Sequence, residues 1–190
     1  MSTTLLGHIR KYIDLDEQEE KVIIAYIEQL QVKKKGYLLK EGQLCKASYF
    51  VEKGCLRMFF ISDKGDENTV NFALENWWIS DYSTLLTQKP SLFYIQAIEH
   101  SDILMLTAER QEELLKEIPK IERYFRLILQ RAYGASQMRF KHTYNLSRED
   151  MYRNFLGLHP EFVNRVPQYM LASYLGFTPE YLSEIRKKKI

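Results

Sequence analysis

The chain has 190 residues, 45% of them hydrophobic and 27% charged, with a formal net charge of +2 at pH 7. That length allows one or two domains with a real core, and so weak a charge excludes a protein that grips nucleic acid over its whole surface; any such surface must be local. No apolar run approaches the roughly 20 residues of a membrane span, the N-terminus lacks the basic-then-apolar order of a signal peptide, and two cysteines, Cys45 and Cys55, make no disulfide framework, so a soluble, reducing, cytoplasmic setting is the expectation.

Residues 4–30 are predicted helical, because Leu5, Leu6, Ile9, Ile13 and then Val22, Ile23, Tyr26, Ile27 and Leu30 recur at helical spacing. Beyond them the period changes. Short runs rich in β-branched and aromatic residues alternate with Gly and Asp turns: Gln31–Lys33, Gly36–Leu39, Ser48–Glu52, Leu56–Ile61, Asn68–Ala73, Phe93–Ile98 and Asp102–Leu106. Strands of this length and spacing predict a β-roll or jelly-roll barrel. The aromatic residues Trp77, Trp78, Tyr82, Phe93 and Tyr94 cluster late in this region, where they either fill the barrel or line a cavity for a small planar ligand.

From Thr107 the helical period returns. Glu109–Glu117 forms a short helix broken by Pro119, and 120–143 a long one with Ile121, Phe125, Ile128, Ala132 and Ala135 along one stripe. The stripe either packs on the barrel or forms the seam of a homodimer. Between Lys120 and His142 six basic residues face the single acid Glu122, whereas the N-terminal Asp14–Glu20 stretch is acidic. Ser147 caps a helix over 148–157, another spans 160–165, and Pro167 opens the last motif.

That motif is Gln168 to Lys187. Counting Gln168 as position one, Ala172 is fifth and Gly176 ninth, with Leu171, Leu175, Phe177, Leu182 and Ile185 at the apolar positions of a helix-turn-helix. A small fifth residue lets two helices cross closely, and the glycine takes the positive φ of the sharp turn. Thr178 caps the second helix and Pro179 occupies its first position, where no N–H is needed. Duplex DNA is therefore the expected partner. Exposed residues near the start of such a helix face base edges: Thr178, Pro179, Glu180, Ser183, Arg186, Lys187 and Lys188 are the candidates. Glu180 can accept from a cytosine amine; Ser183 and Arg186 follow as base contacts, and Thr178, Lys187 and Lys188 as phosphate contacts.

Barrel, long helix and C-terminal helix-turn-helix, in that order, resemble the Crp/Fnr family of bacterial transcription regulators over nearly the whole chain. Leu39-Lys-Glu-Gly42 is similar to the family's turn after the first strands, and Tyr49–Arg57 to its strand, glycine, strand segment. Val166-Pro-Gln168 followed by Gly176-Phe-Thr-Pro-Glu-Tyr-Leu-Ser is similar to the reduced DNA-binding domain of one of its branches. The resemblance implies an α+β protein: a jelly-roll sensor domain at 1–118, a dimerisation helix at 119–145 and an all-α helix-turn-helix domain with little or no wing at 146–190. It also implies a homodimer on a two-fold symmetric operator, with RNA polymerase and a small-molecule effector as further partners.

In family members that bind cyclic nucleotides, a Gly-Glu pair followed about ten residues on by Arg and Ser or Thr holds ribose and phosphate. Here Ser80-Asp81 stands for the first pair and Ser91-Leu92 for the second, no arginine lies between Arg57 and Arg110, and Lys89 is the nearby cation. The candidate ligand pocket, Ser80, Asp81, Tyr82, Lys89, Ser91 and Leu92, is therefore not expected to respond to cyclic AMP. Two arginines common in the family's recognition helices are replaced by Pro179 and Glu184, so a different operator is implied. No cofactor, metal site or catalytic residue is expected. Iron–sulfur ligation needs about four cysteines, and the jelly-roll oxygenases need a His-x-His that the chain lacks. The competing readings are an interaction module whose helix-turn-helix does not bind DNA, and a nucleotide-responsive regulator with an atypical pocket.

Overall fold

In the computed structural model, residues 3–187 are described. The chain divides into two compact units, one of Met1–Phe60 and Asn71–Leu129, the other of Ile61–Val70 and Gln130–Ile190. The expected divisions at 118/119 and 145/146 follow element ends, whereas this division falls inside the long helix and gives a short internal segment to the second unit.

The first unit begins with α1 (Thr3–Ile9) and α2 (Glu17–Ala25) rather than one helix over 4–30. The break is chemical. Asp16 caps α2 by accepting from the Glu19 amide (2.8 Å), and the Glu19 carboxylate accepts from the Asp16 amide (2.8 Å). This reciprocal capping box starts a new helix instead of continuing the old one. Strands follow: β1 (Glu28–Val32), β2 (Tyr37–Leu39), β3 (Ala47–Lys53), β4 (Leu56–Ile61), β5 (Glu67–Ala73) and β6 (Trp78–Ile79). After the single-turn α3 (Tyr82–Leu85) come β7 (Tyr94–Ala97) and β8 (Ser101–Thr107). They form two four-stranded sheets, ordered β1-β8-β3-β6 and β2-β7-β4-β5, with antiparallel pairing of β8 to β1 and β3, β3 to β6, and β7 to β2 and β4. This is the expected jelly roll.

Alternation along β3 and β8 serves two cores, because both faces of that sheet are covered. Tyr49, Val51 and Ile103 point inward to meet Leu56, Ile95 and Ala97. Phe50, Leu104 and Leu106 point the other way, onto Leu5, Ile9, Ile23, Leu114 of α4 (Ala108–Glu117), and Ile121 and Tyr124 of α5 (Ile121–Asn145). Tyr124 is fully buried; its oxygen accepts from the Trp78 indole N–H (2.9 Å) and bonds His8 Nδ1 (2.9 Å), tying α1, β6 and the root of α5 together. Burial pushes its phenol well above the usual range.

The second unit contains α6 (Arg148–Leu158), capped by Ser147, then α7 (Pro160–Arg165), α8 (Gln168–Leu175) and α9 (Pro179–Lys187). Its buried side chains include Tyr152, Phe162, Val163, Met170, Leu171, Leu182 and Ile185. Phe155 joins them edge-on to Phe162 and tilted against Tyr174.

Candidate nucleic-acid interface and barrel cassette

The α8–α9 pair has the geometry its sequence requires. Ala172 is fully buried, Gly176 holds φ 74° and ψ 30°, and the Phe177 amide returns to the Ala172 carbonyl at 2.8 Å. A residue with a Cβ in that left-handed conformation costs about 1–2 kcal/mol, which is why the ninth position is glycine. Leu171, Leu175, Phe177, Leu182 and Ile185 are all buried, as the spacing required. The Thr178 hydroxyl accepts from the Tyr181 amide (3.2 Å), and Gln168 Nε2 donates to the Pro179 carbonyl (3.3 Å), locking the two helices at their start.

The opposite face of α9 is open. Thr178, Pro179, Glu180, Arg186 and Lys187 are exposed and Ser183 partly so; Lys188 lies outside the described residues. Contacts made by the α8–α9 pair escaped the sequence reading. The Arg148 guanidinium sits 5.3 Å from the Tyr181 ring centroid. The Ser173 hydroxyl donates to the Glu67 carbonyl (3.0 Å) and accepts from the Thr69 amide (2.9 Å). Beside it, Arg139 donates to the Val70 carbonyl (2.8 Å) and stacks over Tyr174. No spacing in the chain announces contacts across such separations.

In the barrel, three of the six cassette residues converge. Ser80 and Asp81 follow β6 and are 3% and 2% exposed, and Ser91 is fully buried. The Asp81 carboxylate accepts from the hydroxyls of Ser83 (2.5 Å), Thr84 (2.6 Å) and Ser91 (2.7 Å) and from the Ser83 amide (3.1 Å). Ser80 donates to the Ala47 carbonyl (2.9 Å). Lys89 and Leu92 face outward, Leu92 at 68% exposure, whereas Tyr82 is partly exposed but turns its hydroxyl in to the Ser48 side chain, where burial raises the phenol. The residues standing where a nucleotide's ribose and phosphate contacts would be are thus satisfied by their own chain or turned away. The aromatic residues of this region take separate ring partners: Trp78 packs with Phe50 and Phe125, Tyr94 stacks on Phe59, Phe93 meets Phe60, and Trp77 and Tyr82 are nearly half exposed.

The expected dimer stripe needs one correction. Ile121 is fully buried in its own chain's core, and Phe125 and Ile128 pack against the same cluster, because the first two turns of α5 complete that core. Ala132 and Ala135 are exposed. Between Leu129 and Asn145 the exposed large apolar residues are Leu129, Tyr133, Met138, Phe140 and Tyr144. At 3.6 residues per turn, Leu129, Tyr133, Phe140 and Tyr144 lie within about 60° of one another.

Among the described residues no group of three or more His, Cys, Asp or Glu is placed to hold a metal ion, and no helix is long and apolar enough to cross a membrane. Cys45 and Cys55 are buried, the first against the Ser80 hydroxyl and the second bonded to the Leu56 carbonyl.

A jelly roll followed by a long helix and a helix-turn-helix is the order of elements found, and the comparisons bear on it. Residues 29–117 match the cyclic nucleotide-binding domain family. The chain is 24% identical over 185 residues to the anaerobic regulatory protein of Pasteurella multocida and 25% identical to the fumarate and nitrate reduction regulatory protein of Vibrio cholerae. Each alignment takes in 90% of this chain, which spans 66% and 72% of those proteins' lengths. Among solved structures, the c-di-GMP-responsive global regulator CLP of Xanthomonas campestris superposes with a TM-score of 0.73 at 14% identity, covering 91% of both chains. The catabolite activator protein of Thermus thermophilus does so with a TM-score of 0.58 at 19% identity, over 95% of this chain and 85% of that one. Similarity to regulators of this kind extends along the chain, and a further solved structure, a transcriptional regulator of the Crp/Fnr family from Eubacterium rectale, superposes with a TM-score of 0.71 at 18% identity over 92% of this chain and 83% of that one.

Proposed function

We propose that the protein is a transcription regulator of the Crp/Fnr type that binds duplex DNA sequence-specifically through α9, acts as a homodimer on a two-fold symmetric operator, is not gated by cyclic AMP, and has no enzymatic activity. The observation that carries the reading is the completed α8–α9 geometry, which buries one face of α9 and leaves Glu180, Ser183 and Arg186 on the other, where a recognition helix meets base edges. The Asp81–Ser91 hydrogen bond supports the nucleotide part: a phosphate entering there finds serine and leucine, not arginine, at positions 91 and 92 and a carboxylate already occupied. The apolar stripe of α5 supports the dimer. RNA polymerase is the partner through which such a regulator acts, and an effector of other chemistry is compatible with the closed cassette.

The test is selection of the purified protein on a random duplex library with and without millimolar cyclic AMP. The expected result is the same two-fold symmetric consensus in both. Glu180→Ala and Arg186→Ala should then flatten preference at single base positions, each worth about 1–3 kcal/mol, while Lys187→Ala weakens all sequences alike. A consensus obtained only with the nucleotide refutes the cassette reading. Equal losses on operator and random DNA refute base reading by Glu180 or Arg186.

A further inference from the structure

His8 of α1 lies half-buried where α1 meets the outer face of β3 and the root of α5. Its ring meets Tyr12 edge-on just beyond α1 (5.4 Å between centroids), Phe50 of β3 at a tilt (5.6 Å) and Tyr124 of α5 edge-on (5.7 Å). Its Nδ1 lies 2.9 Å from the Tyr124 oxygen, which also accepts from the Trp78 indole N–H at 2.9 Å. Among the described residues these are the two hydrogen-bond partners of the Tyr124 hydroxyl.

The direction of each bond follows from counting protons. An indole N–H only donates, and a phenol has a single proton to give. Tyr124 is fully buried, and burial pushes its phenol well above the usual range, so the proton stays on through neutral and acid pH. With Trp78 donating to the oxygen, the Tyr124 O–H has His8 Nδ1 as its acceptor. His8 is therefore neutral, with its own proton on Nε2. A protonated imidazole donates from both nitrogens. Acid thus turns Nδ1 from acceptor to donor and strands the Tyr124 proton in the core, where an unsatisfied donor is costly. The unfolded chain has no such conflict. The stability this bond contributes is complete above histidine's ordinary value of about 6.5 and drains away as pH falls below it.

The surroundings offer no spare charge to absorb the change. Arg10 pairs with Glu20 of α2, Lys120 with Glu19 (2.7 Å), and Glu117 accepts from Tyr26 (2.8 Å), while Lys11 is exposed. A small apolar void lies beside the hub, lined by Leu5, Ile9, Ile23, Ile121 and Tyr124 among others. Part of the apolar face of α1 therefore lacks contact, which leaves more of its docking to the polar bond.

We propose that His8 and Tyr124 form an acid-sensitive latch, which holds α1 on the root of α5 while His8 is neutral and releases it when His8 is protonated. The latch stands independently of the DNA-binding reading. Release of α1 would uncover Ile121 and Tyr124, at the base of the helix that runs on into the second unit.

The experiment follows amide deuterium exchange in the whole protein at about pH 7.5 and about pH 5.5, either side of histidine's ordinary range, with intrinsic exchange corrected for. The reporters are the amides of Arg10 and Ile13, which donate to the Leu6 and Ile9 carbonyls (2.9 and 3.2 Å). In wild type their protection should fall by about tenfold or more at the acid end, while β3 and β8 keep theirs. His8→Asn, whose Oδ1 can accept from Tyr124 in place of Nδ1 and does not titrate, should hold α1 protected at both pH values. Nitrogen NMR shifts of the His8 ring should place its proton on Nε2 at neutral pH. A proton on Nδ1 overturns the bond direction and the latch with it. Equal protection of α1 at both pH values in wild type overturns the proposal, and so does a His8→Asn variant that loses protection with acid as wild type does. Should His8→Asn loosen α1 at both pH values, Tyr124→Phe decides. It has no proton to strand, so a pH dependence as large as wild type's in that variant also overturns the latch, and a flattened one supports it.

Discussion

Asp81 shows how one side chain settles what a pocket can do. Burial alone would raise its carboxyl, but the hydroxyls of Ser83, Thr84 and Ser91 and the Ser83 amide outweigh that and hold it below its ordinary 3.8. As pH falls, the unfolded chain therefore takes up the proton before the folded one does. The stability that Asp81 contributes is complete above the unfolded value and drains away as pH drops through the lower folded value. Asp81→Asn removes a charged acceptor from three hydroxyls and should cost about 1.5–3 kcal/mol at neutral pH. Urea unfolding across an acid series checks this, because the variant should also lose part of wild type's acid sensitivity; an unchanged midpoint would mean the hydroxyls find other partners. The sequence places Asp81 and Ser91 at the two ends of the cassette but gives no sign that they bond each other, since that requires the loop to close. Gly176 and Ala172 were legible because their constraints are local: a positive φ and a helix crossing leave few residue choices.

At the scale of elements, the strands and the C-terminal helices could be read because alternation, turns and caps repeat within a few residues. The N-terminal stretch was harder. Leu30 and Val32 fit a helical continuation of Val22–Ile27 as well as they fit β1, and only pairing with β8 decides. The Asp16–Glu19 capping box was present in the chain as the signal for a new helix. In α5 the two candidate stripes lie on neighbouring faces, and periodicity cannot say which one the chain's own core consumes. Packing assigns Ile121 to the core and leaves Leu129, Tyr133, Phe140 and Tyr144 outside. Four large apolar side chains on one helix face are an unusual surface for a monomer. Tyr133→Glu combined with Phe140→Glu should convert a dimer to a monomer in light scattering while leaving the circular dichroism of the fold intact. A dimer that survives both charges would place the seam elsewhere, for instance on the face of Ala132 and Ala135.

For the whole molecule, order along the chain is not the same as membership of a unit. The first unit is interrupted, and residues 61–70 group with 130–190. The side-chain bonds that join this segment to the helices, from Ser173 and Arg139, span 104 and 69 residues to their partners Thr69 and Val70, and nothing in the sequence announces pairings so far apart. The Ser173 hydroxyl acts there as a substitute strand, giving one hydrogen bond to the backbone of β5 and taking another, while the neighbouring Thr69 hydroxyl is buried with no hydrogen-bond partner among the described residues. The Thr69 amide proton consequently has a side chain of α8 as its acceptor. Its deuterium exchange should slow or quicken with the integrity of the helix-turn-helix, and Ser173→Ala should speed it by more than tenfold, the equivalent of about 1.4 kcal/mol. If that amide exchanges at the same rate in the variant, the clasp does not persist in solution. If it quickens, a single backbone proton becomes a clock for how often the reading head lets go of its tether.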